Sequence, residues 1–326
     1  MPETHTLRLA HSPDSDDMVM WWPLVGLDGA GPVIDTGRFR FELVARDVEE
    51  LNKLAVDQSR GREHAVSGSP ESPRADARGS ERGDGYDITA ISCAAYPAIA
   101  DRWAITRCGG SFGEGYGPRV VVREDAPIHS PDDLRGKRVI VPGVNTSAFL
   151  AMSVMLGSTA DERGFEVVEM LFSEIPGAIA RGEADAGVLI HEAQLTFAEM
   201  GLRELANLGA WWATTTDLPL PLGLNVVRRD LDERFGAGSV EGVSRILDAS
   251  VKHAVNNPAD SRAHLRANKG DRTEWDDDAL LDEYLRMYVS GLTIDMGDRG
   301  RAAIAELLGR GARAGLCAPV EEIDVV

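Results

Sequence analysis

The chain has 326 residues, 43% of them hydrophobic, and a formal net charge of −19. That length exceeds what one ordinary core needs, so two compact units are the default expectation, and the hydrophobic share lies above the disordered range. The charge argues against nucleic acid or an anionic membrane surface as partner, and no stretch approaches the roughly 18 uninterrupted apolar residues of a membrane span. The opening MPETHTLRLAHSPDSDD has no basic segment followed by a long apolar run. No secretory signal is therefore expected, and the chain is expected in the cytoplasm. Cys93, Cys108 and Cys317 have no close paired spacing. Buried free thiols are expected rather than a disulfide framework or a zinc knuckle.

In chain order, LRLAHS reads as a strand and SPDSDD as a loop whose Asp and Ser residues can cap a helix beginning near Met18. FRFELVA alternates apolar and polar residues as a second strand, followed by the helix DVEELNKLAVD. Residues Gln58 to Gly85 break the pattern. One large aliphatic residue, Val66, stands among Gly, Ser, Pro, five Arg and five acidic residues. A disordered surface insertion is expected there. YDITAIS is then a strand and CAAYPAIADR a helix, and the glycine-rich CGGSFGEGYGP reads as a bend ahead of the strand RVVVRE. PDDLRGKRVIVPG gives a helical turn, a strand and a tight turn, and TSAFLAMSVML is a helix apolar on most sides, hence buried. FEVVEMLF, EIPGAIARG and ADAGVLI follow as strand, helix and buried strand; LPLPLGLNVVRRD is a proline-stiffened connection and a strand. From Ser239 the pattern is helical, with a stop at Asn256-Asn257-Pro258 and further helices around Asp277–Val289 and Arg299–Ala314.

Strands alternating with helices imply parallel or mixed sheets with covered faces, an α/β architecture. The chain is expected to leave a first sheet near Gly117 and return near Asn225. Residues 1–117 then form one lobe with the insertion at 58–85, residues 118–224 a second lobe, and residues 225–326 return to the first and add C-terminal helices. Ligands of open α/β sheets sit beyond the carboxyl ends of strands, so both lobes should turn their strand-to-helix loops toward a shared cleft.

Polar residues on those loops are Ser12, Asp14, Asp16 and Asp17; Ser92; Asn145, Thr146 and Ser147; and His191 and Glu192. Backbone N–H groups and the helix dipole suit the Thr146–Ser147 turn to a carboxylate, and capping of its own helix fits the turn equally well. His191 follows AGVLI where a buried strand should enter the cleft, whereas His5, His64, His129, His253 and His264 lie in loops, the insertion or helical surfaces. An imidazole there can shuttle a proton; a satisfied core histidine is the more usual explanation of such a residue. His11 is the reserve candidate in the first lobe. SPDSDD fits no EF-hand, and neither a P-loop nor a nucleophile elbow is present.

HSPDSDDMVM, DVEELNKLA, DITAIS, SFGEGYGP, GKRVIVPG with SAFLA, GEADAGVLIHE and LPLPLGLN, in that order, resemble the 1,4-dihydroxy-6-naphthoate synthase family of the futalosine route to menaquinone. The resemblance runs from about Leu7 to Leu231, apart from the insertion. It implies a two-lobed fold of the type 2 periplasmic-binding-protein kind and a lyase needing no cofactor or metal. The implied reaction converts cyclic dehypoxanthine futalosine, a small-molecule carboxylate, into 1,4-dihydroxy-6-naphthoate. His191 matches the family's base, Thr146 and Ser147 the hydroxyl pair that holds the substrate carboxylate, and Ser92 the serine facing it. Ser12, Asp17, Ala148 and Glu192 complete the implied substrate-binding set. Some members carry Ser-Pro-Cys-Pro-Asn-Asp where this chain has Ser12-Pro13-Asp14-Ser15-Asp16-Asp17. Two other readings stay open: a small-carboxylate binding protein without catalysis, and a chorismate dehydratase on the same fold.

Overall fold

The structure is a computed structural model that describes residues 3–60, 85–191, 193–270 and 272–326. Its strands fall into two sheets. The first has the order β2 (Phe39–Ala45), β1 (His5–His11), β3 (Ile88–Ser92), β11 (Leu220–Arg228) and β4 (Trp103–Ile105), with β5 (Ser111–Gly113) also paired to β11. β2, β1 and β3 run parallel; β11 is antiparallel to β3, β4 and β5. The second sheet has the order β10 (Leu202–Asn207), β6 (Arg119–Arg123), β9 (Ala186–Leu189), β7 (Arg138–Val141) and β8 (Glu166–Glu169). β9, β7 and β8 are parallel, and β6 is antiparallel to both β9 and β10.

The helices are α1 (Ser15–Trp21), α2 (Val48–Ser59), α3 (Ser147–Met155), α4 (Ile175–Ala180), α5 (Ala193–Thr196), α6 (Leu208–Thr216), α7 (Leu231–Phe235), α8 (Ser239–Asn256), α9 (Pro258–Ala267), α10 (Asp278–Tyr288), α11 (Gly291–Ile294) and α12 (Gly297–Arg313). Local chemistry sets their ends. The Asp47 carboxylate accepts from the N–H groups of Glu49 and Glu50 at the start of α2, and Thr146 Oγ1 accepts from Phe149 N at the start of α3. α8 buries Val243, Leu247, Val251 and Ala254 along one stripe, and Leu247 and Val251 join Leu7, Leu9 and Trp21 in one core. A larger core runs across both sheets, joining Ile91, Phe112 and Leu224 to Val120, Val122, Phe149 and Trp212, with Ile304 and Leu307 of α12.

Several sequence expectations need correction. α1 begins at Ser15, ahead of Met18, and Asp14 at its N-cap position makes no side-chain cap bond. CAAYPAIADR forms only a 3-10 helix over Cys93–Ala98, because Pro97 supplies no N–H to an α ladder. α8 ends at Asn256, as the Asn256-Asn257-Pro258 stop predicts; the missed element is α9, which Pro258 opens at a position where its missing N–H costs nothing. Leu220–Gly223 of the LPLPLG connection is already strand, since β11 begins at Leu220, and Asn225, the expected return point, lies within it. Gln58 and Ser59 belong to α2, and the expected insertion lies, from residue 61 to residue 84, outside the described residues. Part of the glycine-rich run forms β5. The bend lies at Glu114–Gly115, where Gly115 has φ 81, and Gly117 serves a close approach: a Cβ there would stand 2.9 Å from Gly209 N, and a Cβ on Gly209 would meet Tyr116 O at 1.8 Å. Cys93 and Cys108 are buried free thiols, whereas Cys317 is half-buried.

Candidate active site

β1, β3, β7 and β9 deliver their polar residues at their carboxyl ends. β1 turns through Ser12 and Asp14 into α1, β3 ends on Ser92, β7 turns through Gly143 and Asn145 into α3, and β9 runs on through Ile190 to His191. These turns enclose one cavity between the sheets, about 690 Å³ of empty space partly open to solvent. Ser12, Asp17, Ser92, Thr146, Ser147, Ala148 and His191 all line it. Glu192 lies outside the described residues.

His191 is not sealed inside its own sheet's core. Its side chain is 16% exposed, and Nδ1 lies 2.9 Å from Asp14 Oδ2 across the cavity. Asp14 also accepts a hydrogen bond from the Ser12 hydroxyl. Imidazole and hydroxyl thus take the carboxylate that the sequence offered as a helix cap. The ring of Phe172 meets the His191 imidazole edge-on at 4.6 Å. The His191 backbone is left-handed, with φ 55, a conformation that costs a non-glycine residue about 1–2 kcal/mol. With Nδ1–H donating to Asp14, the lone pair sits on Nε2, which makes that atom the basic one. His11 is not among the cavity residues: it is buried, its Nδ1 is 2.6 Å from Ser12 O, and burial lowers its pKa.

One wall of the cavity is rich in donors. Ser92 Oγ accepts from Asn52 Nδ2 at 3.1 Å, and Asn52 Oδ1 accepts from Ser92 N at 2.8 Å, so the serine is fixed and its own hydroxyl proton remains to give. Thr146 Oγ1 donates to Gly143 O at 2.8 Å while capping Phe149 N. Ser147 Oγ donates to Leu222 O at 2.6 Å and accepts from Ala94 N at 3.2 Å, bridging the second sheet's helix to the first sheet. Both hydroxyls are therefore engaged. The first-turn N–H groups of Ser147 and Ala148, which have no acceptor within their own helix, are the donors this turn offers a carboxylate.

Another part of the lining is acidic. Asp16 Oδ2 accepts from Ser111 Oγ at 3.0 Å, and Tyr284 OH of α10 stands 3.4 Å from Asp16 Oδ1. Asp17 Oδ2 accepts from Ser12 N at 2.7 Å. Burial, then the neighbouring Asp16, pushes the Asp17 pKa well above the usual carboxylate range. Among the described residues, neither Lys nor Arg lines the cavity, and no group of three or more His, Cys, Asp or Glu is placed to hold a metal ion.

A second cross-sheet contact lies beside the cavity. Glu49 of α2, buried on the first-sheet side, accepts from Asn145 Nδ2 at 2.6 Å and from Asn52 Nδ2 at 3.1 Å. Burial raises its pKa. Gly143 (φ +152) leaves the space: a Cβ there would stand 2.4 Å from Glu49 Cδ. Lys53 reaches Glu169 of β8 at 3.3 Å on the exposed side. Sequence reasoning missed Asn52, Ser111, Gln194 and Tyr284. Asn52 alone left a signal, as a polar residue on the inward face of an amphipathic helix beside Leu51 and Ala55.

A family model described as menaquinone biosynthesis matches residues 80–313. A curated protein of Thermus thermophilus named 1,4-dihydroxy-6-naphtoate synthase is 32% identical over 313 residues, covering 96% of each chain. One of the same name from Streptomyces coelicolor is 38% identical over 236 residues, 72% of this chain and 79% of that protein. Among solved structures, protein AF1704 of Archaeoglobus fulgidus is 31% identical, with a TM-score of 0.74 over 95% of this chain and 98% of that one. The alkanesulfonate-binding protein SsuA of Xanthomonas axonopodis pv. citri, at 14% identity and a TM-score of 0.62 over 100% and 99%, shares the fold. The two-sheet architecture is that of periplasmic binding proteins.

Proposed function

The chain belongs to the 1,4-dihydroxy-6-naphthoate synthase family of menaquinone biosynthesis, and on that premise we propose that it converts cyclic dehypoxanthine futalosine into 1,4-dihydroxy-6-naphthoate with His191 as the base. The observation that carries this reading is the 2.9 Å contact of His191 Nδ1 with Asp14, in a cavity that Ser92 and the start of α3 also line. The donor wall receives the substrate carboxylate through Ser92 Oγ and the N–H groups of Ser147 and Ala148. His191 Nε2 takes the proton next to the substrate carbonyl, Asp14 stabilises the imidazolium, and the electron pair left behind opens the sugar-derived ring. Loss of a three-carbon fragment then aromatises the remaining bicycle. Thr146 keeps the α3 turn in shape by capping, and Ser12 orients Asp14.

Incubating the purified protein with cyclic dehypoxanthine futalosine should produce the absorbance of a dihydroxynaphthoate. No product with that substrate, together with consumption of chorismate in a parallel assay, assigns the chain to the dehydratase reaction instead. Tight binding of the substrate with neither reaction leaves a binding protein.

A further inference from the structure

Three buried carboxyl groups within four residues, Asp14, Asp16 and Asp17, line one cavity that no Lys or Arg shares among the described residues. They are not equally served by donors. Asp14 takes the Ser12 hydroxyl and the His191 Nδ1–H, and Asp16 takes the Ser111 hydroxyl with Tyr284 OH beside it. Asp17, 7% exposed, accepts one backbone N–H, that of Ser12. Holding three negative charges in this space together with a substrate carboxylate is costly, and the cost falls on the group with least compensation.

We infer that Asp17 enters the reaction as a neutral carboxylic acid and donates its proton to the sugar oxygen expelled when the substrate ring opens, acting as the acid partner of His191. The inference rests on the synthase reading above. In the step, the C–H proton passes to His191 Nε2, the released electron pair breaks the C–O bond, and the departing oxygen takes the Asp17 proton. His191 then holds one proton more and Asp17 one fewer; transfer between them within the cavity restores both, so no co-reactant is needed. The pKa of Asp17, raised by burial and by Asp16, agrees with this assignment. The titratable groups facing Asp17 are Asp14 and Asp16 from its own turn and helix, His191 from the second sheet and Tyr284 from α10.

The test has two arms. In ligand-free protein carrying 13C-labelled aspartate carboxyls, one cavity carboxyl should remain protonated at neutral pH, and its signal should vanish in Asp17→Asn. With substrate, Asp17→Asn should lose about 100-fold or more in kcat, the ordinary range for removing a general acid, with KM little changed. The basic limb of the wild-type pH profile should disappear with it, and Asp16→Asn, by removing the neighbouring charge, should move that limb to lower pH. An ionised Asp17 in the labelled protein overturns the proposal, as does an Asp17→Asn enzyme that keeps its kcat and its basic limb. The first arm uses no substrate, so its result stands whether or not the naphthoate assay succeeds.

Discussion

Asp14 Oδ2 and His191 Nδ1 lie 2.9 Å apart, although one residue follows the first strand of the first sheet and the other the β9 strand of the second. Replacing His191 by Ala should lower kcat by about 100-fold or more, the usual scale for a positioned base, and leave the circular dichroism spectrum unchanged. Asp14→Asn keeps the shape but not the charge; its kcat should fall while KM stays within a few-fold. Near-normal turnover of His191→Ala, measured by naphthoate absorbance, removes the imidazole from the mechanism.

Asn52 holds Ser92 by two hydrogen bonds while wholly buried. Asn52→Ala leaves the Ser92 N–H without its acceptor, a loss of about 1–3 kcal/mol. Chemical denaturation should read that loss, and KM should rise because Ser92 no longer faces the carboxylate in a fixed rotamer. Unchanged KM in a folded Asn52→Ala protein would separate Ser92 from substrate binding.

Ser147 Oγ ties α3 to β11 and to the segment after β3. Ser147→Ala should destabilise the protein by about 1 kcal/mol and retain substrate binding through the backbone donors of the same turn. Isothermal titration with the inactive His191→Ala background reads the second part; lost binding would mean that the hydroxyl itself leaves Leu222 to reach the ligand.

Gly143→Ala tests the other bridge between the sheets. Its Cβ would sit 2.4 Å from Glu49 Cδ, at a backbone conformation that suits glycine, so Glu49 must release Asn145. The expected result is a fall in kcat/KM of about 10-fold or more with a wider particle in X-ray scattering. A variant with normal scattering and normal kinetics would show that Glu49 can give way without separating the sheets.

Asp17 also predicts a pH dependence of stability. Its folded pKa is raised, so the folded protein keeps a proton that the unfolded chain releases above about pH 4. The stabilising contribution is whole below that pH and is lost as pH rises toward the folded value. Nothing titrates at this position in Asp17→Asn. Its melting temperature should therefore gain on the wild type as pH rises from 5 to 8; a constant gap contradicts the raised pKa.

Much of the scaffold was legible because its signals are local. The alternation in Phe39–Ala45 and the wholly apolar AGVL of β9 mark strands without reference to anything distant. His191 stood out for the same reason, as a polar residue at the end of a buried run. What stayed hidden depends on residues far apart in the chain. Ser111 and Tyr284 meet at Asp16 across separations of 95 and 268 residues, which no periodicity encodes. Asp14 carried a true local signal for helix capping, and a partner 177 positions away, by the difference of the two residue numbers, took its carboxylate instead. Pro97 was misread because proline breaks an α ladder from within, and α9 was missed because the proline that marks the end of α8 also opens the next helix at its first position.

β11 lies between β3 and β4, yet it comes after every strand of the second sheet. During synthesis, then, the later-starting unit is the first that can finish: β6 to β10 span an unbroken stretch from Arg119 to Asn207, while the earlier strands wait for Arg228 to emerge. Until then β3 and β4 lack the neighbour between them, leaving strand edges without their native covering. A ribosome stalled between those points would display a completed inner half attached to an unfinished outer one, and premature termination there would yield a product that cannot join β4 and β5 to the outer sheet.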